Sequence, residues 1–411
     1  MNWKYVIGGI ATIAALTFVV WFIFFRSAPS QTQTPTTTSG VFGSSSNQPI
    51  PTISNSAIKP EGRGTFVYTP TQKKVFLIAE GPVASAVFTQ THNPTTTSVR
   101  YVRQDSGHVF EQSLDTSGSA ARAISNTTIP GIANAIWTQG GSSIILQYAE
   151  NSTIKSVSVG FQPAGTSTQG AGLTAPLRFL PDNISSITAS PDGLSVAYLL
   201  RTPTGSDGYI ANYDGTNSVK LFSIPLSQLR LMWPSRNQLL LESKTAAGVQ
   251  GMAFSVSIKT GVYTQLLYTT GLSAIANGDF SSVVYQTDVS GKRNSYEHNT
   301  ASGVDTKLSG QPIPEKCAWS YVVRAVLICA VPNSYVPLNY LDLWHQGLAG
   351  VADTLVGYNF DTKADVAIAT PGDKDGGVKS DIASVTVSPN GDYLLYITRG
   401  DHAVWGVHLT Q

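Results

Sequence analysis

Charge is scarce in this chain. Only 12% of its 411 residues are Asp, Glu, Lys or Arg, and the formal net charge is +1, whereas roughly a quarter of an average soluble domain is charged. So even a balance provides no field to draw nucleic acid or an anionic membrane surface, and nucleic acid is excluded as a partner. Cysteine is nearly absent: two residues cannot form a disulfide framework and lack the paired spacings of a zinc site. Six histidines, His92, His108, His298, His345, His402 and His408, are scattered without metal-ligand spacing. There is no G-x-S-x-G elbow, no H-E-x-x-H, no phosphate-binding glycine loop and no Asp-box. No cofactor, metal or catalytic residue is expected, and a non-enzymatic role comes first.

What the chain does have begins with an apolar run. Tyr5 to Phe25 is 21 residues without a charge, long enough at about 1.5 Å per residue to cross a hydrocarbon core of roughly 30 Å. Trp3, Tyr5 and Trp21 sit near its ends, where aromatic rings favour the interface. No A-x-A-like cleavage site follows, so residues 1–26 read as a single-pass anchor that contacts the bilayer through residues 5–25. Lys4 before the run, with only Arg26 close behind it, favours a cytoplasmic N-terminus and a periplasmic or extracellular remainder. Residues 27–62 are dominated by Ser, Thr, Pro, Gln, Gly and Asn, too polar to bury a core, and read as a disordered linker.

Residues 63–411 read as all-β. Strand signals recur between turn residues, and no long helical period appears. One hairpin occurs twice: Ile187 to Leu200, ITASPDGLSVAYLL, and Val385 to Thr398, VTVSPNGDYLLYIT. In each, Pro presets the first corner of a turn, Asp or Asn tolerates the second and Gly takes positive φ. Aligning the chain on this hairpin gives units starting near Val83, Ile132, Ser185, Ser227, Leu272, Glu315 and Ile382, spaced about 42 to 67 residues apart, close to the period of four-stranded propeller blades. The last unit runs out of chain, whereas Thr65 to Ala79 precedes the first and has strand character. It is expected to complete the last blade and close a seven-bladed propeller, removing the exposed edges. Trp137, Trp233 and Trp319 fall where a unit's first strand meets its turn and are expected to pack between blades.

The SPDG and SPNG hairpins, with AYLL and LYIT after them and the terminal HAVWGVHL, resemble the WD40-like repeats of TolB-type β-propellers. The resemblance implies a propeller in a bacterial envelope and adds little about chemistry, since the fold hosts unrelated functions.

Propeller geometry sorts the links. Those joining first to second strands lie on a tight face; those joining second to third strands, or successive blades, lie on the opposite, wide face. The wide face is expected to receive Arg201 to Gly208, with Arg201 and Asp207; Arg399 to His402, with Arg399, Asp401 and His402; and a long insertion, Val331 to Tyr358. Loops this long are often functional, and Tyr335, Tyr340, Asp342, Trp344 and His345 give this one the look of a recognition surface. The other reading is a short helix around Leu341 to Leu348 that caps the propeller with its aromatics buried. Cys317 and Cys329 pair directly across a turn near Val323, within reach of a disulfide; two buried free thiols are the other reading. Asp373 and Asp375, with Asp381 beyond, read as a solvated link between blades, failing the EF-hand pattern. Asn126, Asn151 and Asn183 head N-x-S/T sequons that matter only where that glycosylation pathway exists.

The expected function is a membrane-anchored, extracytoplasmic propeller, a protein-interaction or scaffolding module of the bacterial cell envelope whose partner is another envelope protein. The alternative is a glycan-binding or glycan-processing propeller, with Asp207, Asp342, Asp353 and Asp401 as the carboxylates to examine.

Overall fold

The computed structural model describes residues 74–90, 96–115, 119–125, 127–161, 177–289 and 292–409. The expected anchor at 1–26, the linker at 27–62 and the start of the closing segment at 65–73 lie outside the described residues. Among those described, no helix is long and apolar enough to cross a membrane.

Seven antiparallel sheets of four strands each follow one another along the chain, making a seven-bladed β-propeller. First strands begin at Val83, Ile132, Ile184, Leu229, Ser273, Cys317 and Ile382, each within two residues of the start read from the sequence. Six blades are built from consecutive strands. In the seventh, the outer position goes to Val75–Ala79, which pairs antiparallel with Val404–His408, the third strand of that blade and the last of the chain. The ring is thus closed by residues from before its first blade. Its closing strand is seated by a further contact: Val75 donates its N–H to the carbonyl of Asp375 at 2.8 Å, so the link containing Asp373 and Asp375 holds the closure.

The cores lie between blades. Phe76, Ile78, Leu395 and Val404 of the seventh pack with Val83, Phe88, Val99 and Tyr101 of the first, and Leu229 and Leu239 of the fourth pack with Ala197 and Phe222 of the third. Because both faces of a blade are covered, inner strands carry continuous apolar runs instead of alternation. Leu239, Leu240 and Leu241 are consecutive and all sealed from solvent, each contributing about 1.5–3 kcal/mol.

A candidate interaction surface on the wide face

The sixth blade carries the insertion. Its second strand, Val326–Pro332, and third strand, Asp353–Asn359, are joined by 333–352, which contains one helix, α1, Tyr340–His345. Tyr340, Leu341 and Trp344 share one face of that helix and are buried, with Ile313 and Val336 completing a small core of their own. Gly347, at φ 76°, ends it in the left-handed conformation that glycine adopts without strain. Of the two readings of the insertion, the structure follows the helix with buried aromatics.

Charged groups fasten α1 to the ring. Lys316 ends a short 3-10 turn, Pro314–Lys316, and has no solvent exposure. Its ammonium meets Asp353 at 2.8 Å and Asp381 at 2.6 Å, and lies 5.4 Å from the Trp344 ring centre and 5.7 Å from that of Tyr340. Asp381 accepts the Trp344 indole N–H at 2.8 Å, and Asp353 accepts the Ile382 backbone N–H at 2.7 Å. Burial pushes the Asp353 carboxyl up to about 6, against the pull of Lys316. From the seventh blade, the Arg399 guanidinium covers the Trp344 ring at 4.2 Å and donates to the Trp344 carbonyl. Asp342 accepts from the backbone N–H of Ala247 in the fourth blade at 3.1 Å, and His345 pairs with Glu315 at 3.0 Å. Burial alone would raise Glu315, but the hydrogen bond from His345 and the field of Arg230 hold it at about 2. A six-residue helix is therefore anchored to blades four, six and seven.

What remains outside is a smaller set. Tyr335 is 89% exposed and Leu348 70% exposed, one on each side of α1. Beside Leu348 is a cavity of about 1020 Å³, lined by the chain from Gly347 to Ala352 and by Lys379, Asp381, Arg399, Asp401, His402 and Trp405. Of the residues singled out in the sequence, this brings Arg399, Asp401 and His402 to the edge of the insertion. Asp401 caps its own turn, accepting from the Thr398 hydroxyl and the Ala403 N–H, while the His402 carbonyl accepts from Val83. Gly81 runs so close to this turn that a Cβ there would lie 1.5 Å from the Asp401 oxygen, so the loop is braced by the entry to the first blade.

Arg201 and Asp207 are placed differently from the expectation. They lie in strands, not a loop: Ser195–Thr202 and Gly205–Asn212 pair up to Thr202 with Gly205, leaving a two-residue link. Ladder pairing runs through the polar RTPTGSDG segment to Thr202 and Gly205, and Gly205 makes room for the Ile224 carbonyl oxygen, which a Cβ there would meet at 2.1 Å. Arg201 bonds Gln228 at 3.3 Å, and Asp207 is held by Lys220 at 2.9 Å and Ser223 at 2.7 Å. Asp207, Asp342, Asp353 and Asp401 each serve a separate contact. Among the described residues no group of His, Cys, Asp and Glu side chains is placed to hold a metal ion.

Sequence reasoning missed Lys316, for which the only available signal was the unusual placing of a lysine between a Pro-Glu turn and an apolar strand, and it read Asp381 as part of a solvated link, whereas Asp381 is largely buried against Lys316 and Trp344. Cys317 and Cys329 are directly opposed on neighbouring strands and joined as a disulfide, behind the same turn.

No protein-family model matches the chain, and no curated protein matches it. Solved structures do. A structure described as oligogalacturonate lyase in complex with manganese is similar at a TM-score of 0.50 and 10% identity, over 81% of this chain and 99% of that one. The Myceliophteria thermophila Cps50 (Swd1) β-propeller domain is similar at 0.50 and 9%, over 82% and 100%. At such identities the likeness shows the fold alone: this chain is a seven-bladed β-propeller.

Proposed function

We propose that the chain is a membrane-anchored, extracytoplasmic scaffolding module of the bacterial cell envelope that holds a protein partner on its wide face. The observation that carries this reading is the fastened insertion. Helix α1 is tied to three blades by the indole hydrogen bond of Trp344 to Asp381, the backbone N–H of Ala247 on Asp342 and the Arg399 guanidinium over the Trp344 ring, while Tyr335 and Leu348 stand exposed on either side of it. A large aromatic and a leucine held on a rigid support lose little entropy on binding, which suits them as interface anchors. The cavity rimmed by Arg399, Asp401 and His402 supplies polar groups for the edge of such a contact. Anchoring rests on the uncharged run Tyr5 to Phe25, and reach on the polar residues 27–62. The TolB-type resemblance supports the same compartment.

The test separates the surface from its support. Tyr335→Ala with Leu348→Ala is expected to abolish recovery of one defined partner from crosslinked envelope membranes, with the melting temperature unchanged. Retained recovery in a folded double variant contradicts the proposal.

A further inference from the structure

At one structural position around the ring, tryptophan alternates with small residues. In five blades that position precedes the residue whose backbone N–H closes the first hairpin: Trp137 before Thr138, Ala189 before Ser190, Ala276 before Asn277, Trp319 before Ser320 and Val387 before Ser388. Trp233 takes the matching place near the end of Leu229–Ser235 in the fourth blade. From the second blade to the seventh the order is Trp, Ala, Trp, Ala, Trp, Val. All six residues line one cavity of about 920 Å³, joined by Val87 of the first blade. With every blade contributing, this cavity is the tight-face mouth of the axial channel, and its size falls within the roughly 300–1,000 Å³ of small-molecule sites.

The tryptophans were expected to pack between blades, and they do: Trp137 meets a core shared by the first and second blades, Trp233 one shared by the third and fourth, and Trp319 one shared by the fifth and sixth. Trp137 rests on Phe161, with ring centres 6.1 Å apart, and Trp319 on Phe360 at 5.4 Å, each within its own blade. All three indole nitrogens are screened from water and meet no acceptor in the protein. Leaving such a donor unpaired costs about 1–3 kcal/mol. Val387 closes the same position in the seventh blade at 2% exposure. The small residues between the indoles keep the three rings apart, as separate walls of the mouth. Around the rim stand Arg236, Asn237, Asp279, Arg324 and Tyr321; Arg324 and Asp279 face each other at 3.6 Å, and Tyr321 is 63% exposed.

We propose that this tight-face mouth binds a neutral oligosaccharide, with Trp137, Trp233 and Trp319 as its aromatic walls. A pyranose ring has an apolar C–H face and an edge of hydroxyls that both donate and accept. Indole walls accommodate the face, and the guanidinium, carboxylate, amide and phenol groups of the rim serve the hydroxyls. A cationic ligand would also suit aromatic walls, but two arginines at the entrance repel it. The site lies on the face opposite the insertion, so it does not depend on the wide-face reading.

Calorimetry and saturation-transfer NMR on the full-length protein in a non-glycosidic detergent, with chitotetraose and cellotetraose as probes, test the proposal. Saturable binding of at least one probe is expected. Trp233→Ala should weaken it about tenfold or more, Trp233→Phe should recover most of it, and Tyr335→Ala on the wide face should leave it unchanged. If Trp233→Ala fails to fold, Tyr321→Ala with Arg236→Ala at the exposed rim gives the same reading. Absence of saturable binding of both sugars at millimolar concentration overturns the proposal. So does binding that ignores these variants, or binding of a proline-rich decapeptide where neither sugar binds.

Discussion

Arg399 of the seventh blade lies with its guanidinium 4.2 Å from the centre of the Trp344 ring in the sixth. The same indole donates to Asp381 below it, so one side chain is clamped from above by a cation and from its edge by a carboxylate. Trp344→Ala removes both contacts and opens a void in the small core that Trp344 shares with Tyr340, Leu341, Val336 and Ile313. It is expected to cost about 3–5 kcal/mol, whereas Tyr335→Ala, on an exposed ring, should stay within about 0.5 kcal/mol. Urea melts of the two variants check this.

Lys316 without its partners would be an isolated buried cation. Lys316→Met leaves Asp353 sealed and uncompensated, and is expected to destabilise by about 3–5 kcal/mol. Adding Asp353→Leu removes the orphaned charge and should recover part of that loss. A double variant no better than the single one, by denaturant midpoint, contradicts this account of the cluster.

Stability should depend on pH in two limbs. Glu242 is fully buried beside Arg230, and burial pushes its carboxyl up to about 7; Asp353 is pushed to about 6. Their ordinary values are 4.5 and 3.8, so the folded state holds these protons more tightly than the unfolded chain. Their stabilisation is present at low pH and lost as pH rises through about 6 to 7. Glu315, held at about 2, acts in the opposite sense: its contribution is present above 4.5 and lost as pH falls toward 2. Glu242→Gln should flatten the upper limb in urea melts between about pH 4 and 8; an unaltered limb contradicts the assignment.

Closure of the ring depends on five residues. Removing Val75–Ala79 strips the outer strand from the seventh blade and bares the edge of Val404–His408. Cooperative melting should disappear and aggregation should follow. Unchanged cooperative melting contradicts the closure.

Local signals placed most of this architecture in reach of the sequence. A Pro-Asp-Gly or Pro-Asn-Gly turn between apolar strands is encoded within about ten residues, and its echo set the phase for all seven blade starts. The closing strand was legible because its residues had no other sheet to join. The opposition of Cys317 and Cys329 followed from strand pairing, since residues equidistant from a turn oppose each other, while the bond itself was one of two readings until the structure joined them. Other features depend on residues far apart in the chain. Nothing near Lys316 announces Asp353 or Asp381, and a polar RTPTGSDG reads as a loop until the third strand is seen to continue through it. Trp137, Trp233 and Trp319 were visible as a set and pack between blades as expected, but that they also line one cavity depends on all seven blades meeting there, which composition does not carry.

The wide-face claim is tested most directly by placing a photo-crosslinking amino acid at position 335 of the full-length protein in its native membrane. A second position, 366, on the outer strand of the sixth blade, serves as the exposed control. One discrete protein adduct is predicted at 335, absent at 366 and lost when Leu348→Ala is added. No adduct at 335, or the same adduct pattern at both positions, would contradict the account.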